Sequence, residues 1–142
     1  MRLVLLMLGK TRRPEMRAVL EDYTKRISHH TPMEVVEVRD EAAALKRLDA
    51  DRGATVVLLD AVGKMFSSEA LARWLGEQRD RSIRQITFLC GDANGFPDEL
   101  RCRAQTKLSL SAMTYSHELA RVMLAEQLYR AFAILSGGPY PR

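Results

Sequence analysis

Hydrophobic residues in this chain form short continuous runs that alternate with stretches in which they recur at helical spacing. The runs predict five strands: Arg2–Leu8, Met33–Val38, Ala54–Leu59, Gln85–Cys90 and a fifth, KLSLS, that begins at Lys107. Helical spacing predicts an amphipathic helix over 14–29, further helices between the later strands and a long one at the end. This alternation predicts an α/β fold, with a parallel sheet and helices on both faces.

Length and composition predict one soluble globular domain over residues 1–142. Of these residues, 46% are hydrophobic and 28% are charged, as in an ordinary globular protein. The opening run LVLLMLG is far shorter than the roughly 20 residues of a membrane span, so we predict a cytoplasmic protein with no membrane association. Cys90 and Cys102 lack the spacing of a metal site or a disulfide framework, and we expect two reduced, buried thiols and no metal.

The basic residues are mostly arginines. The net charge is +4, carried by 17 Arg and 5 Lys against 18 acidic residues. Arginine pairs bidentately with phosphate, so this balance is compatible with a nucleic-acid partner. A solvated surface in a chain that prefers arginine explains it equally well, and charge alone does not decide between the two.

Small residues follow three of the predicted strands. The segments DAVGK, GDANG and SAMTYSH come after the third, fourth and fifth strands, and parallel sheets bind ligands beyond these carboxyl ends. Small side chains let a ligand approach the main chain closely. Neither GxGxxG nor GxxxxGK[ST] occurs in the chain, which argues against a dinucleotide oxidoreductase or a P-loop phosphohydrolase.

The final helix is unusually apolar, since 13 of the 17 residues from Leu119 to Leu135 are apolar or tyrosine. Such a helix must be covered on nearly all sides. We predict a homodimer that packs partly through it, with burial under another helix of the same chain as the alternative. His117 and Arg121 lie one turn apart at its start, where an arginine and a helix N-terminus suit a phosphate or carboxylate. A surface or capping role is the simpler interpretation of His117.

The segment from Ser109 to Ala131, together with the N-terminal run and the Pro-Tyr tail, resembles the bacterial rRNA large-subunit methyltransferases of the SPOUT superfamily. These enzymes modify N3 of a pseudouridine in the intersubunit stem-loop of 23S rRNA. The similarity covers nearly the whole chain. It implies an enzyme that uses S-adenosylmethionine, a C-terminal trefoil knot, an active homodimer, and 23S rRNA in the ribosome as partner.

The resemblance also implies which residues bind the methyl donor. They stand at the ends of the third, fourth and fifth strands: Leu59, Gly91, Leu110, Ser111, Ala112, Met113, Thr114 and Tyr115. This chain departs from the family pattern in two places. GDANG replaces the usual GGPEG, so that Asp92 and Ala93 alter the loop's backbone or add a carboxylate near the cationic sulfonium. Both histidines of the family's His-Pro-Tyr-His tail are missing, because the chain ends in Gly-Pro-Tyr-Pro-Arg.

Candidates for handling the RNA follow from the same resemblance. We expect Arg121 to contact a phosphate or a uracil oxygen, His117 to orient the base or remove its N3 proton, and Tyr140 to stack on the base. Arg142 is the fourth candidate. A basic cluster near the N-terminus suits RNA docking, with a solvated surface as the alternative: Lys10, Arg12, Arg13 and Arg17.

Two further hypotheses belong to other functional classes. A non-catalytic ribosome-binding or RNA-binding module on the same fold would bind no methyl donor, and the missing tail histidines and the altered glycine loop favour it. A flavodoxin-like signalling or flavin-binding domain fits the alternation of strands and helices but does not explain His117 and Arg121 at the start of the final helix.

Overall fold

A computed structural model describes residues 1–140 and contains five strands: β1 (Arg2–Leu8), β2 (Met33–Val38), β3 (Thr55–Met65), β4 (Gln85–Cys90) and β5 (Thr106–Ser109). They form one parallel sheet in the order β2-β1-β4-β3-β5. The two central strands, β1 and β4, are apolar along almost their whole length and are buried on both faces of the sheet. This confirms the predicted α/β class.

Helices cover both faces of the sheet: α1 (Pro14–Ile27), α2 (Glu41–Ala50), α3 (Ser68–Asp80), α4 (Asp98–Arg101) and α5 (His117–Ser136). The first, third and fifth pack on one face, and the second and fourth pack on the other. Side chains cap three of these helices, because Asp40, Ser67 and Ser116 each accept a backbone N–H from the first turn. Of the described helices, none is long and apolar enough to cross a membrane.

β3 is longer than predicted. DAVGK was expected to be a loop, but the strand continues through it to Met65 and pairs with β5 again after an irregularity between Leu59 and Lys64. The expectation was wrong because Gly63 permits a very close approach of the two strands: a Cβ atom there would lie 2.6 Å from the main-chain oxygen of Lys107. The end of β3 therefore packs closely against β5, with which it pairs.

α5 packs against the sheet between α1 and α3. Its buried residues include Leu124, Leu128 and Phe132. Burial within the same chain, the alternative given above, thus accounts for the apolar character of the helix. That character by itself gives no evidence for a second copy of the chain.

The two cysteines have different surroundings. Cys90 is buried at the end of β4, and burial raises the pKa of its thiol to about 12, although the nearby Arg121 guanidinium acts in the opposite direction. Cys102 is exposed after α4, so the expectation of two buried thiols was wrong for this residue. Residues 1–140 contain no group of three or more potential metal ligands.

Candidate functional site

A cleft of about 460 Å³ opens between the carboxyl ends of β4 and β5 and residues 59–61 of β3. Its lining comes from three segments, 59–61, 90–96 and 110–117, together with Arg101 and Ala120. This is the edge of the sheet that the small-residue segments predicted. Its volume is within the range of pockets that hold small ligands and cofactors.

Seven of the eight predicted donor-binding residues line this cleft: Leu59, Gly91, Leu110, Ser111, Met113, Thr114 and Tyr115. Ala112 is exposed and is not part of the lining. Asp60, Phe96 and Arg101 also line the cleft and were not predicted. Asp60 follows directly after a buried apolar run, which was a usable signal, whereas nothing local in the sequence indicates that Arg101 on α4 reaches the cleft.

The loop after β4 is a tight turn. One carboxylate oxygen of Asp92 accepts the backbone N–H of Asn94 at 2.8 Å, and Gly95 adopts a φ of +79°. A Cβ atom on Gly91 would lie 3.2 Å from the ring of Phe96. A side chain at position 91 would therefore press against the turn, and glycine leaves the main chain open to the cleft.

Serine hydroxyls connect β3 with the end of β5 and the loop after it. The hydroxyl of Ser109 is 2.9 Å from the carbonyl oxygen of Ala61 and 3.0 Å from that of Ser111. The hydroxyl of Ser111 accepts the backbone N–H of Met113 at 2.9 Å. These contacts hold two walls of the cleft in a fixed relation.

Arg121 lies beneath the cleft with no exposed surface. Its guanidinium donates to the carbonyl oxygens of Leu8 at 2.6 Å and Gly9 at 3.1 Å, and to the hydroxyl of Thr11 at 3.0 Å. A weaker contact of 3.4 Å reaches the carbonyl of Gly91. This differs from the predicted contact with a phosphate or uracil oxygen, because a fully buried side chain does not meet RNA from solvent. Instead, Arg121 joins the ends of β1 and β4.

Glu118 fixes the loop that carries the basic cluster. Its two carboxylate oxygens accept the backbone N–H groups of Arg12 and Arg13, each at 3.0 Å. Burial opposes ionisation of this carboxyl, but the two N–H groups prevail and lower its pKa. His117, whose ring is 3.9 Å from Glu118, lines the cleft. The first turn of α5 therefore places a basic loop beside the cleft.

All four residues of the basic cluster are exposed: Lys10, Arg12, Arg13 and Arg17. Arg17 also donates to the main-chain oxygen of Thr11 at 2.8 Å and 3.1 Å, and so stabilises its own loop. The structure thus leaves the whole cluster at the surface beside the cleft.

Tyr140 lies away from the cleft, near the other end of α5. Its hydroxyl donates to Glu126 at 3.1 Å, its ring packs edge-on against Tyr129, and the Arg130 guanidinium covers the ring. Burial raises the pKa of its phenol, and the hydrogen-bonded neighbours Tyr23 and Glu126 add to this effect. Arg142, the other tail candidate, is outside the described residues.

Comparison with known proteins places this geometry in a family. A family model described as "Predicted SPOUT methyltransferase" matches residues 1–141. The chain belongs to the SPOUT methyltransferase family. This SPOUT chain is 42% identical to the "Ribosomal RNA large subunit methyltransferase H" of Pelobacter propionicus, over 99% of each chain. It is 43% identical to the protein of that name from Rhodospirillum centenum, over 100% of this chain and 99% of the relative.

Solved structures share the SPOUT fold at low sequence identity. The SpoU methyltransferase AviRb from Streptomyces viridochromogenes, in complex with AdoMet, superposes with a TM-score of 0.56 at 14% identity, over 96% of this chain and 58% of AviRb. A probable methylase family protein from Haemophilus influenzae gives the same TM-score at 12% identity, over 99% of this chain and 71% of that one. The chain thus spans little more than half the length of AviRb.

The residues of this SPOUT cleft fit the cofactor of the family, S-adenosylmethionine. Leu59 and Leu110 offer apolar surface for a flat ring, while the main chain at Gly91 and the loop after β5 offers polar groups. The cleft has room for a ligand of that size.

Proposed function

We propose that this protein transfers a methyl group from S-adenosylmethionine to N3 of a pseudouridine in the intersubunit stem-loop of 23S rRNA. It does so as one domain over residues 1–142, in the cytoplasm. The observation that carries the proposal is the full-length identity of 42–43% to proteins named for rRNA methylation, combined with a cleft at the strand ends. The C-terminal trefoil knot stays a prediction from family membership.

The cofactor supplies an activated methyl group when bound, so the protein's own residues position the base and remove its N3 proton. His117 is the candidate proton acceptor, because a neutral imidazole has a nitrogen that accepts a proton and this one lines the cleft. Ser116 fixes its position by capping α5. Within one chain Tyr140 packs on Tyr129, so stacking on the base requires the tail of a second copy.

We propose that RNA docks on the exposed side chains of Lys10, Arg12 and Arg13. Glu118 supports this role, since it holds the loop beside the cleft. Replacing Arg12 and Arg13 together with Glu will weaken ribosome binding most at low salt, because phosphate contacts release counterions. Unchanged affinity at moderate salt will remove the cluster from the proposal.

We propose a homodimer, as the family resemblance implies. Exposed apolar side chains beside the cleft support it: Val62 is 83% exposed, Met65 64% and Met113 72%. Light scattering should give a mass near twice the 16.1 kDa of the chain, and Val62→Asp should lower it. A wild-type mass of one chain will contradict the dimer.

The catalytic proposal is tested by methyl transfer from labelled S-adenosylmethionine to ribosomes lacking the modification, with mass mapping of the rRNA. We expect one methyl group at N3 of a pseudouridine. His117→Ala should reduce kcat by about a hundredfold or more and leave donor affinity within about threefold. Ribosome binding without any binding of S-adenosylmethionine will favour the non-catalytic module instead.

A further inference from the structure

Two carboxylates line the cleft, and within residues 1–140 only one of them forms a salt bridge. Asp60 pairs with Arg101 and also accepts the backbone N–H of Val62 at 3.2 Å. Asp92 forms no salt bridge with any residue of the described chain. Asp92 is therefore the carboxylate whose charge is left to act on a ligand in the cleft.

Hydrogen bonds within the turn after β4 hold the carboxylate of Asp92 in position. One carboxylate oxygen accepts the N–H of Asn94 at 2.8 Å, and the main-chain oxygen of Asp92 accepts the N–H of Gly95 at 3.1 Å. Only one of the two side-chain oxygens is used in this way. The turn thus presents a partly buried carboxylate at the cleft wall.

The buried Arg121 guanidinium adds positive charge beneath this wall. It contributes an electrostatic attraction to Asp92 but no direct ion pair, because its hydrogen bonds go to main-chain oxygens and to Thr11. That attraction does not occupy the carboxylate oxygens of Asp92. The carboxylate stays available to a cationic ligand.

We propose that Asp92 is a specificity-determining residue that makes the cleft prefer the cationic methyl donor to the neutral product of the reaction. This inference rests on the proposed function, in which the cleft binds S-adenosylmethionine. Transfer of the methyl group converts a sulfonium into a thioether, so donor and product differ by one positive charge at sulfur. A carboxylate on the cleft wall attracts the first more than the second.

This preference favours binding of the donor and release of the product. A cleft partly screened from water strengthens the attraction between a carboxylate and the positively charged sulfonium of the donor. The product has lost that charge and is therefore bound more weakly. Product release becomes easier relative to donor binding. The family pattern carries a glycine where this chain has Asp92, so the preference is expected to distinguish this chain from relatives with the usual GGPEG loop.

Calorimetric titration of the full-length protein with three ligands tests the proposal. S-adenosylmethionine and sinefungin both carry a positive charge at or beside the sulfur position, and S-adenosylhomocysteine carries none there. All three share the amino-acid end, so contacts to their α-ammonium group cancel in the comparison. Asp92→Asn is the main variant, because an asparagine side-chain oxygen still accepts the N–H of Asn94 and preserves the turn.

Asp98→Asn is the matched control, since Asp98 is an exposed carboxylate on α4 that does not line the cleft. Asp92→Gly, which supplies the usual family residue, is a second variant that does not depend on how asparagine packs. Thermal melts of each variant verify that the fold is retained.

We expect Asp92→Asn and Asp92→Gly to weaken the two cationic ligands by about tenfold while S-adenosylhomocysteine changes by less than about twofold. The control should leave all three affinities unchanged. Equal weakening of all three ligands, or no change in any, will overturn the assignment of Asp92. Failure of the wild-type protein to bind any of the three will overturn the proposed function itself, which is a different result.

Discussion

Replacing Arg121 with Met should destabilise the protein strongly without removing a contact to RNA. Methionine fills the space of the aliphatic stem, so the main loss is the set of hydrogen bonds to Leu8, Gly9 and Thr11, all in buried or nearly buried surroundings. A hydrogen bond to a charged group contributes about 1.5–3 kcal/mol. The two shorter contacts to main-chain oxygens, those of Leu8 and Gly9, alone predict a loss of about 3–6 kcal/mol in the free energy of unfolding.

Urea denaturation of wild type and variant measures this loss, with Arg26→Met as the control. Arg26 forms an exposed i,i+4 pair with Asp22, so its replacement should leave the free energy of unfolding close to that of wild type. A fully stable Arg121→Met protein that has lost ribosome binding would refute the positioning role. It would restore the original prediction that Arg121 contacts the RNA.

Three further predictions concern packing and titration. Gly63→Ala should lower stability by about 1–3 kcal/mol in thermal melts, since its Cβ would overlap a main-chain oxygen of β5, whereas Gly138→Ala should be tolerated. Glu118→Gln should be less stable than wild type at neutral pH. Because the pKa of Glu118 is lowered in the folded protein, this difference should shrink as pH falls below about 4.3. Ellman's reagent should modify Cys102 quickly and leave Cys90 unmodified until the protein unfolds.

Much of the fold could be predicted from the sequence, because most of its strands are recognisable from their local hydrophobic runs. β1, β2 and β4 have the predicted bounds. β1 and β4 are interior parallel strands and form continuous hydrophobic runs, and apolar residues also predominate in the edge strand β2. β3 was predicted to end at Leu59, because a segment with glycine and lysine looks like a loop locally. Its continuation depends on the close approach of Gly63 to β5, a tertiary contact that no local pattern encodes.

The site was predicted best where it consists of main chain at strand ends. Gly91 and the loop after β5 line the cleft as expected, because the topology of a parallel sheet decides their position. Arg121 was misjudged, because helical spacing places it one turn from His117 but does not reveal that its guanidinium turns inward to carbonyl oxygens. The hydrogen bonds from the backbone of Arg12 and Arg13 to Glu118 were not predicted, since these partners lie over one hundred positions earlier in the chain.

The central claim is that residues 59–61 of β3 and the segments after β4 and β5 form the binding site of the methyl donor. An NMR titration of the isotope-labelled protein with S-adenosylmethionine tests it directly. We predict saturable shifts of the amide signals of residues 59–61, 91–96 and 110–117, with small changes elsewhere. No saturable shift, or shifts concentrated away from these three segments, would contradict the account.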